Sequence, residues 1–148
     1  MKTIYLLTTL FLVSVSSTLS AQSETAAVEA ACMNYIEGFY EGDTKKLINC
    51  LQPTLHKFGF WKDDKTGKYG EKGHYMTFEE AKDYARDVLE KKKFPGADAP
   101  KHVEVLDMME HIACAKVTAW WGYDYMLLTK KGDKWMIEQV LWEGPLRN

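Results

Sequence analysis

Hydrophobic positions along the chain change their period twice. A largely apolar run, Ile4 to Val15, gives way to helical spacing at Val28, Ala31, Cys32, Tyr35 and Phe39, which predicts a first helix with a wide apolar stripe that stops at Gly42. Asp43 is placed to cap a short second helix carrying Leu47, Ile48 and Leu51 and ended by Pro53. The stretch His56–Asp64 reads as extended, Gly67, Gly70 and Gly73 mark a hairpin or irregular loop, and His74, Tyr75 and Met76 follow. Thr77-Phe78-Glu79-Glu80 has the capping-box pattern and opens a third helix with Phe78, Ala81, Ala85, Val88 and Leu89 on one side. Phe94-Pro95-Gly96 through Pro100 forces an irregular connection.

From Lys101 the pattern is strand to the end: KHVEVLDM, IACAKVTAWWGYDYMLLTK and KWMIEQVLWE, joined by a turn at 109–111 and a tight hairpin at Lys131-Gly132-Asp133-Lys134. The middle strand is apolar in both parities: Ala115, Val117, Ala119, Trp121, Tyr123 and Tyr125 in one, Trp120, Met126 and Leu128 in the other. A strand with one wet face alternates, so this one is expected to be covered on both sides, as in the wall of a closed, curved sheet. The order of elements predicts an α+β fold with helices on one face of that sheet. Its second apolar face would be a large exposed patch on a monomer, so a homodimer through the outer face of the sheet is expected.

The start of the chain changes the expected compartment. Lys2 precedes about a dozen apolar residues, short of the roughly 20 that span a bilayer, and small and polar residues follow around Ser20 and Ala21. Residues 1–21 therefore read as an export signal and residues 22–148 as a single domain, periplasmic or secreted. Cys32 lies too far from the apolar run for lipid attachment, so no membrane anchoring is expected after cleavage. The remainder, roughly 125 residues, suffices for one core and not two. Net charge is −2, and Arg86 and Arg147 are the only arginines, which disfavours a nucleic-acid partner. Lys91-Lys92-Lys93 falls at a helix end, where cations are favourable.

Candidate chemistry is sparse. Cys32, Cys50 and Cys114 form no CxxC pair; small buried thiols are the simpler reading and a Cys32–Cys50 disulfide the alternative. His56, His74, His102 and His111 lack metal-ligand spacing, and the glycines lack a phosphate-cradling pattern, so neither a metal nor a cofactor is expected. The aromatic set is richer. Tyr35, Phe39, Trp61, Tyr75, Trp120 and Tyr123, with Gln139, are the expected ligand contacts for a planar or amphipathic small molecule, since flat rings bearing one polar atom suit such a pocket. A core simply filled by these rings is the competing reading. Asp124, between two tyrosines, is the most conspicuous ionisable residue: inward-facing, its pKa would rise and it could act as acid or base, with His56 the other candidate. A plain two-residue turn at Gly132-Asp133 would set Asp124 opposite Leu141 and Met126 opposite Gln139, and a slip or bulge near Gly122 would reverse this, so its face stays open.

Taken together, NYIEGFYEGDTKKL, MTFEEAKDYA and VTAWWGYDYMLL followed by GDKWMIEQVLWEGP resemble the nuclear transport factor 2-like superfamily, and most of all its exported bacterial branch labelled "putative lumazine-binding". The resemblance covers residues 26 to 145. It implies a cone-shaped α+β barrel in which a strongly curved antiparallel sheet and three helices enclose a pocket open at one end. That superfamily includes isomerases, dehydratases, epoxide hydrolases, polyketide cyclases and non-enzymatic binding domains, so the fold selects no reaction. The Asp-Arg-Asp group of an epoxide hydrolase has no counterpart here, and no catalytic residue carries over. The expected function is an exported small-molecule-binding domain. The alternatives are a lyase or isomerase using Asp124 or His56, and a non-enzymatic dimeric interaction module.

Overall fold

The computed structural model describes the backbone of residues 2–146 and the side chains of residues 22–146. The expected export segment, residues 1–21, and Arg147 lie outside the residues whose side chains are described. Helix α1 (Lys2–Glu41) ends just before Gly42, and Asp43 Oδ1 then accepts from the amides of Lys45 (2.8 Å) and Lys46 (3.3 Å) to start α2 (Thr44–Cys50). Strands β1 (Leu51–Trp61) and β2 (His74–Met76) precede α3 (Phe78–Glu90), and β3 (His102–Met108), β4 (Ile112–Ala119), β5 (Gly122–Lys131) and β6 (Lys134–Gly144) complete the chain.

Two helix details differ from the periodicity. α2 stops at Cys50, and Leu51 opens β1 instead of extending the helix. Pro53 lies inside β1, where the pairing with β6 slips between Leu51 and His56; an irregular stretch demands no ladder donor, so a residue without an N–H is tolerated there. In α3 the capping box forms as expected, with the Thr77 hydroxyl accepting from Glu80 N (3.3 Å) and Thr77 N donating to Glu80 Oε2 (2.7 Å). Ala81, Ala85 and Val88 are buried, whereas Leu89 is largely exposed.

The six strands lie in the order β2-β1-β6-β5-β4-β3. Every neighbouring pair is antiparallel except β1 and β6, which run parallel. The sheet is therefore mixed and open, with β2 and β3 at its edges, instead of a closed antiparallel barrel. The reason is connectivity: β1 and β6 are separated by the rest of the domain, so no hairpin imposes an antiparallel arrangement. The helices cover one face, and Val28, Cys32 and Ile36 from α1 pack with Leu47, Ala85, Val117, Met126, Ile137 and Val140. Glu24 ties α1 to the sheet by accepting from Lys130 Nζ (2.7 Å) and Trp135 Nε1 (2.9 Å). Cys32, Cys50 and Cys114 are free thiols.

The long middle strand is two strands. Ala119 pairs with Gly122, leaving Trp120 and Trp121 as a two-residue turn. Gly122 has φ +136°, and a Cβ there would stand 2.1 Å from the Glu143 carbonyl oxygen, so this corner requires glycine. The turn resets the parity: Ala113, Ala115, Val117 and Ala119 of β4 face the helices together with Asp124, Met126 and Leu128 of β5. Tyr125 and Leu127 face outward. Apolar residues in both parities thus reflect a hidden hairpin and not a strand covered on both sides. A second irregularity, at Glu138, moves the register again. Leu128 pairs with Ile137 but Leu127 with Gln139, so Asp124 lies opposite Trp142 and Met126 opposite Val140. The bulged Glu138 finds polar partners, accepting from Thr129 Oγ1 (2.6 Å) and pairing with Lys131 (3.4 Å).

Candidate functional site

A cavity of about 210 Å³ opens between helices α1 and α3 and the end of the sheet formed by β1, β2, β6 and the β4–β5 turn. Helix α1 supplies Tyr35 and Phe39, four residues apart and hence on one side of the helix. Strand β1 supplies Lys57 and Trp61 on the same face, with Gly59 between them. A Cβ at Gly59 would meet the Trp142 backbone oxygen at 2.1 Å and its ring at 2.5 Å, so glycine lets Trp142 lie over the strand. Trp120 and Trp121 reach the cavity from the β4–β5 turn, Met76 from β2 and Tyr84 from α3. The turn is held by Tyr40, whose hydroxyl accepts from Trp120 N (2.8 Å) and donates to the Pro100 carbonyl (2.6 Å). Tyr35, Phe39 and Tyr40 all meet Trp121 edge-on, with centroids 6.0, 5.7 and 5.6 Å away.

Beneath these rings lie two ionisable residues in the core. Lys57 is 7% exposed and Asp124 is fully buried. Lys57 Nζ donates to the Tyr35 hydroxyl at 2.6 Å and stands 3.8 Å from Asp124 Oδ1. It also lies 5.3 Å from the Trp142 ring centroid, within reach of that π face. Trp121 Nε1 donates to both oxygens of Asp124, at 3.1 and 3.0 Å. Burial pushes the Asp124 carboxyl above its ordinary range, opposed by the Lys57 charge and by hydrogen bonds from Tyr35 and Trp121. Burial likewise pushes the Lys57 ammonium below its ordinary range against the pull of Asp124. The Tyr35 hydroxyl is driven well up by burial and by the neighbouring carboxylate. Each group is therefore displaced toward its neutral form, the condition under which a proton moves between partners at small cost.

The expected contacts divide by strand face. Tyr35, Phe39, Trp61 and Trp120 line the cavity. Tyr75 pairs with Phe58 in the β1–β2 ladder, is 68% exposed and packs on Phe58 and His56 across the sheet's outer side. His56 neighbours Lys57 in β1 and so points away from the cavity, which removes it as an acid or base there. Tyr123 lies one residue from inward-facing Asp124 and stacks with Lys116 on the outer side, and Gln139 is exposed on that side of β6. Asp124 faces inward, but it meets the cavity only through Tyr35, Lys57 and Trp121. Lys57 escaped sequence reasoning. The signal available was its place in LHKFG, where Leu55, Lys57 and Gly59 alternate with His56 and Phe58, so that one lysine falls on the apolar parity.

Among the described residues, no three His, Cys, Asp or Glu side chains come together as a metal site. Residues 23–143 match the family described as "Putative lumazine-binding", and the chain belongs to that family. No curated protein sequence matches the chain. Among solved structures it is similar to an NTF-2 like protein of unknown function from Silicibacter pomeroyi, with TM-score 0.61 and 14% identity over 82% of this chain and 96% of that one. An NTF2-like protein of unknown function from Methylobacillus flagellatus gives TM-score 0.61 and 16% identity over 82% and 91%. A ketosteroid isomerase-like protein from Erwinia carotovora atroseptica gives 0.54 and 18% over 81% and 96%. The fold is thus that of the NTF2-like α+β proteins.

Proposed function

We propose that this chain is a small-molecule-binding protein whose ligand is flat and largely apolar and occupies the cavity above Lys57. The observation that carries this reading is the pairing of an aromatic-walled opening with a buried lysine at its inner surface, two features that a merely filled core would not combine. The volume, about 210 Å³, falls below the roughly 300–1,000 Å³ common for drug-sized ligands, so a molecule of one or two fused rings suits it. The family description agrees with a planar heteroaromatic ligand. Titration with a series of bicyclic heteroaromatics, followed by tryptophan fluorescence, tests it: Trp61, Trp120, Trp121 and Trp142 border the cavity and should report occupancy. Fluorescence and melting temperature unmoved by every member of the series would end this reading.

The outer face supports a homodimer. Ile112, Tyr125, Leu127 and Leu141 are each more than half exposed on neighbouring strands, a contiguous apolar surface of the kind that isologous pairing covers. Sedimentation of the wild type and of Leu127→Lys distinguishes the states, the variant being expected to shift to monomer. The mature protein is proposed to begin near Gln22 and to lie in the periplasm or outside the cell, which intact mass measurement of the exported product tests.

A further inference from the structure

We propose that Lys57 is a carbonyl-capturing amine: the cavity takes a small aromatic aldehyde or ketone, which Lys57 Nζ binds as a protonated imine. The inference rests on the small-molecule reading above and specifies the chemical class of the ligand. Three observations carry it. The amine lies at the inner surface of an apolar cavity, enclosed by the rings of Tyr35 and Trp142. It has a proton partner in direct contact, the Tyr35 hydroxyl at 2.6 Å, and a carboxylate at 3.8 Å, Asp124. The buried charges already balance, one ammonium against one carboxylate. A ligand carboxylate would add an uncompensated buried negative charge, which is costly, whereas a neutral carbonyl would not.

The step balances without any further reagent. The Lys57 ammonium passes a proton, directly or through Tyr35, to the Asp124 carboxylate, whose affinity for it is raised by burial. The freed lone pair attacks the carbonyl carbon; the C–N bond forms, and the C=O π pair becomes an alkoxide that takes one of the amine protons. The carbinolamine hydroxyl leaves as water on receiving the proton from Asp124, while the nitrogen lone pair forms the C=N bond. The products are one water and one iminium, and the iminium keeps the single positive charge opposite Asp124. Desolvated lysines are the ones suited to this role, because a solvated ammonium holds its proton near neutral pH.

The test treats the mature chain at neutral pH with 2-naphthaldehyde and cyanoborohydride and maps modified lysines by peptide mass. In parallel, 2-methylnaphthalene, a similar shape without a carbonyl, is titrated by tryptophan fluorescence. The expected result is reductive labelling of Lys57 on the order of tenfold or more above any surface lysine, because a desolvated amine is deprotonated more readily than a solvated one, with protection by 2-methylnaphthalene. Binding of 2-methylnaphthalene with Lys57 unlabelled overturns the imine and leaves the cavity reading standing. Neither binding nor labelling of Lys57 overturns both. Labelling spread evenly over surface lysines, with Lys57 no faster, also overturns the proposal. Lys57→Arg keeps a cation without a nucleophilic amine and should abolish the rapid phase; should that variant not fold, the wild-type map decides.

Discussion

Trp121 Nε1 spans the carboxylate of Asp124, 3.1 Å from one oxygen and 3.0 Å from the other, joining the β4–β5 turn to the buried charge three residues later. The same indole is wedged between Tyr35, Phe39, Tyr40 and Trp120. One side chain therefore sets the cavity wall and orients the acid beneath it. Trp121→Phe retains most of the ring packing but leaves the carboxylate short of a donor. It should cost about 1.5–3 kcal/mol, the range for hydrogen bonds to charged groups, read from the urea midpoint. An unchanged midpoint would show that the bidentate contact contributes nothing.

Asp124→Asn should be far more damaging than a substitution at an isolated buried acid. Because Lys57 lies 3.8 Å away and is itself buried, the amide would leave an unpaired ammonium in the core. A loss of about 3–5 kcal/mol is expected, the usual cost of breaking a buried pair from one side. Lys57→Met in the same chain should recover a substantial part of it. The double-mutant cycle checks this by denaturation, and strict additivity of the two substitutions would contradict direct coupling.

Tyr35 and Trp120 should separate wall from rim. Tyr35 is fully buried, so Tyr35→Ala should cost about 3–5 kcal/mol. Trp120 is 42% exposed, and Trp120→Ala should cost less than about 2 kcal/mol while weakening binding of a bicyclic ligand. Paired melting and fluorescence titrations measure both quantities. Equal stability losses at the two positions would place Trp120 in the core.

Stability should fall above pH 9. Burial pushes the Cys32 thiol up to about 12 and raises the thiol of Cys50 and the hydroxyl of Tyr35 as well. The unfolded chain then loses these protons at ordinary pKa values while the folded protein retains them. Stability is complete below the unfolded value and is lost as pH rises toward the folded one. Each thiol should contribute a slope of about 1.4 kcal/mol per pH unit within its window. Lys57, whose folded value is depressed, contributes the opposite slope below its unfolded value and partly offsets the loss. Denaturation of wild type and Cys32→Ala between pH 8 and 11 checks the sign; the variant should show the shallower decline.

Much of the framework was legible because local rules decide it. Asp43 and Thr77 are side chains whose oxygens satisfy amides two or three residues away, so their caps are readable without tertiary context. The hairpin at Gly132-Asp133 is equally local, with Lys131 paired to Lys134 as its sequence predicts. Tyr35 and Phe39, i and i+4 on one helix, could be assigned to one side for the same reason.

The site itself depended on events that local patterns do not encode. The turn at Trp120-Trp121 looks like continuous strand, because two tryptophans carry strong strand preference and only Gly122 hints at a corner. The bulge at Glu138 shifts its neighbours by one residue, and with a period of two a single residue decides which partners face each other. Composition and periodicity determined an α+β domain, its helix caps and a surplus of aromatic residues toward its end. Tertiary structure alone decided that β1 runs parallel to β6, and that Lys57 on one strand meets Asp124 on another. Whether that meeting is favourable depends on the attraction between the two charges offsetting the cost of desolvating them, a property of the enclosed space and not of either segment.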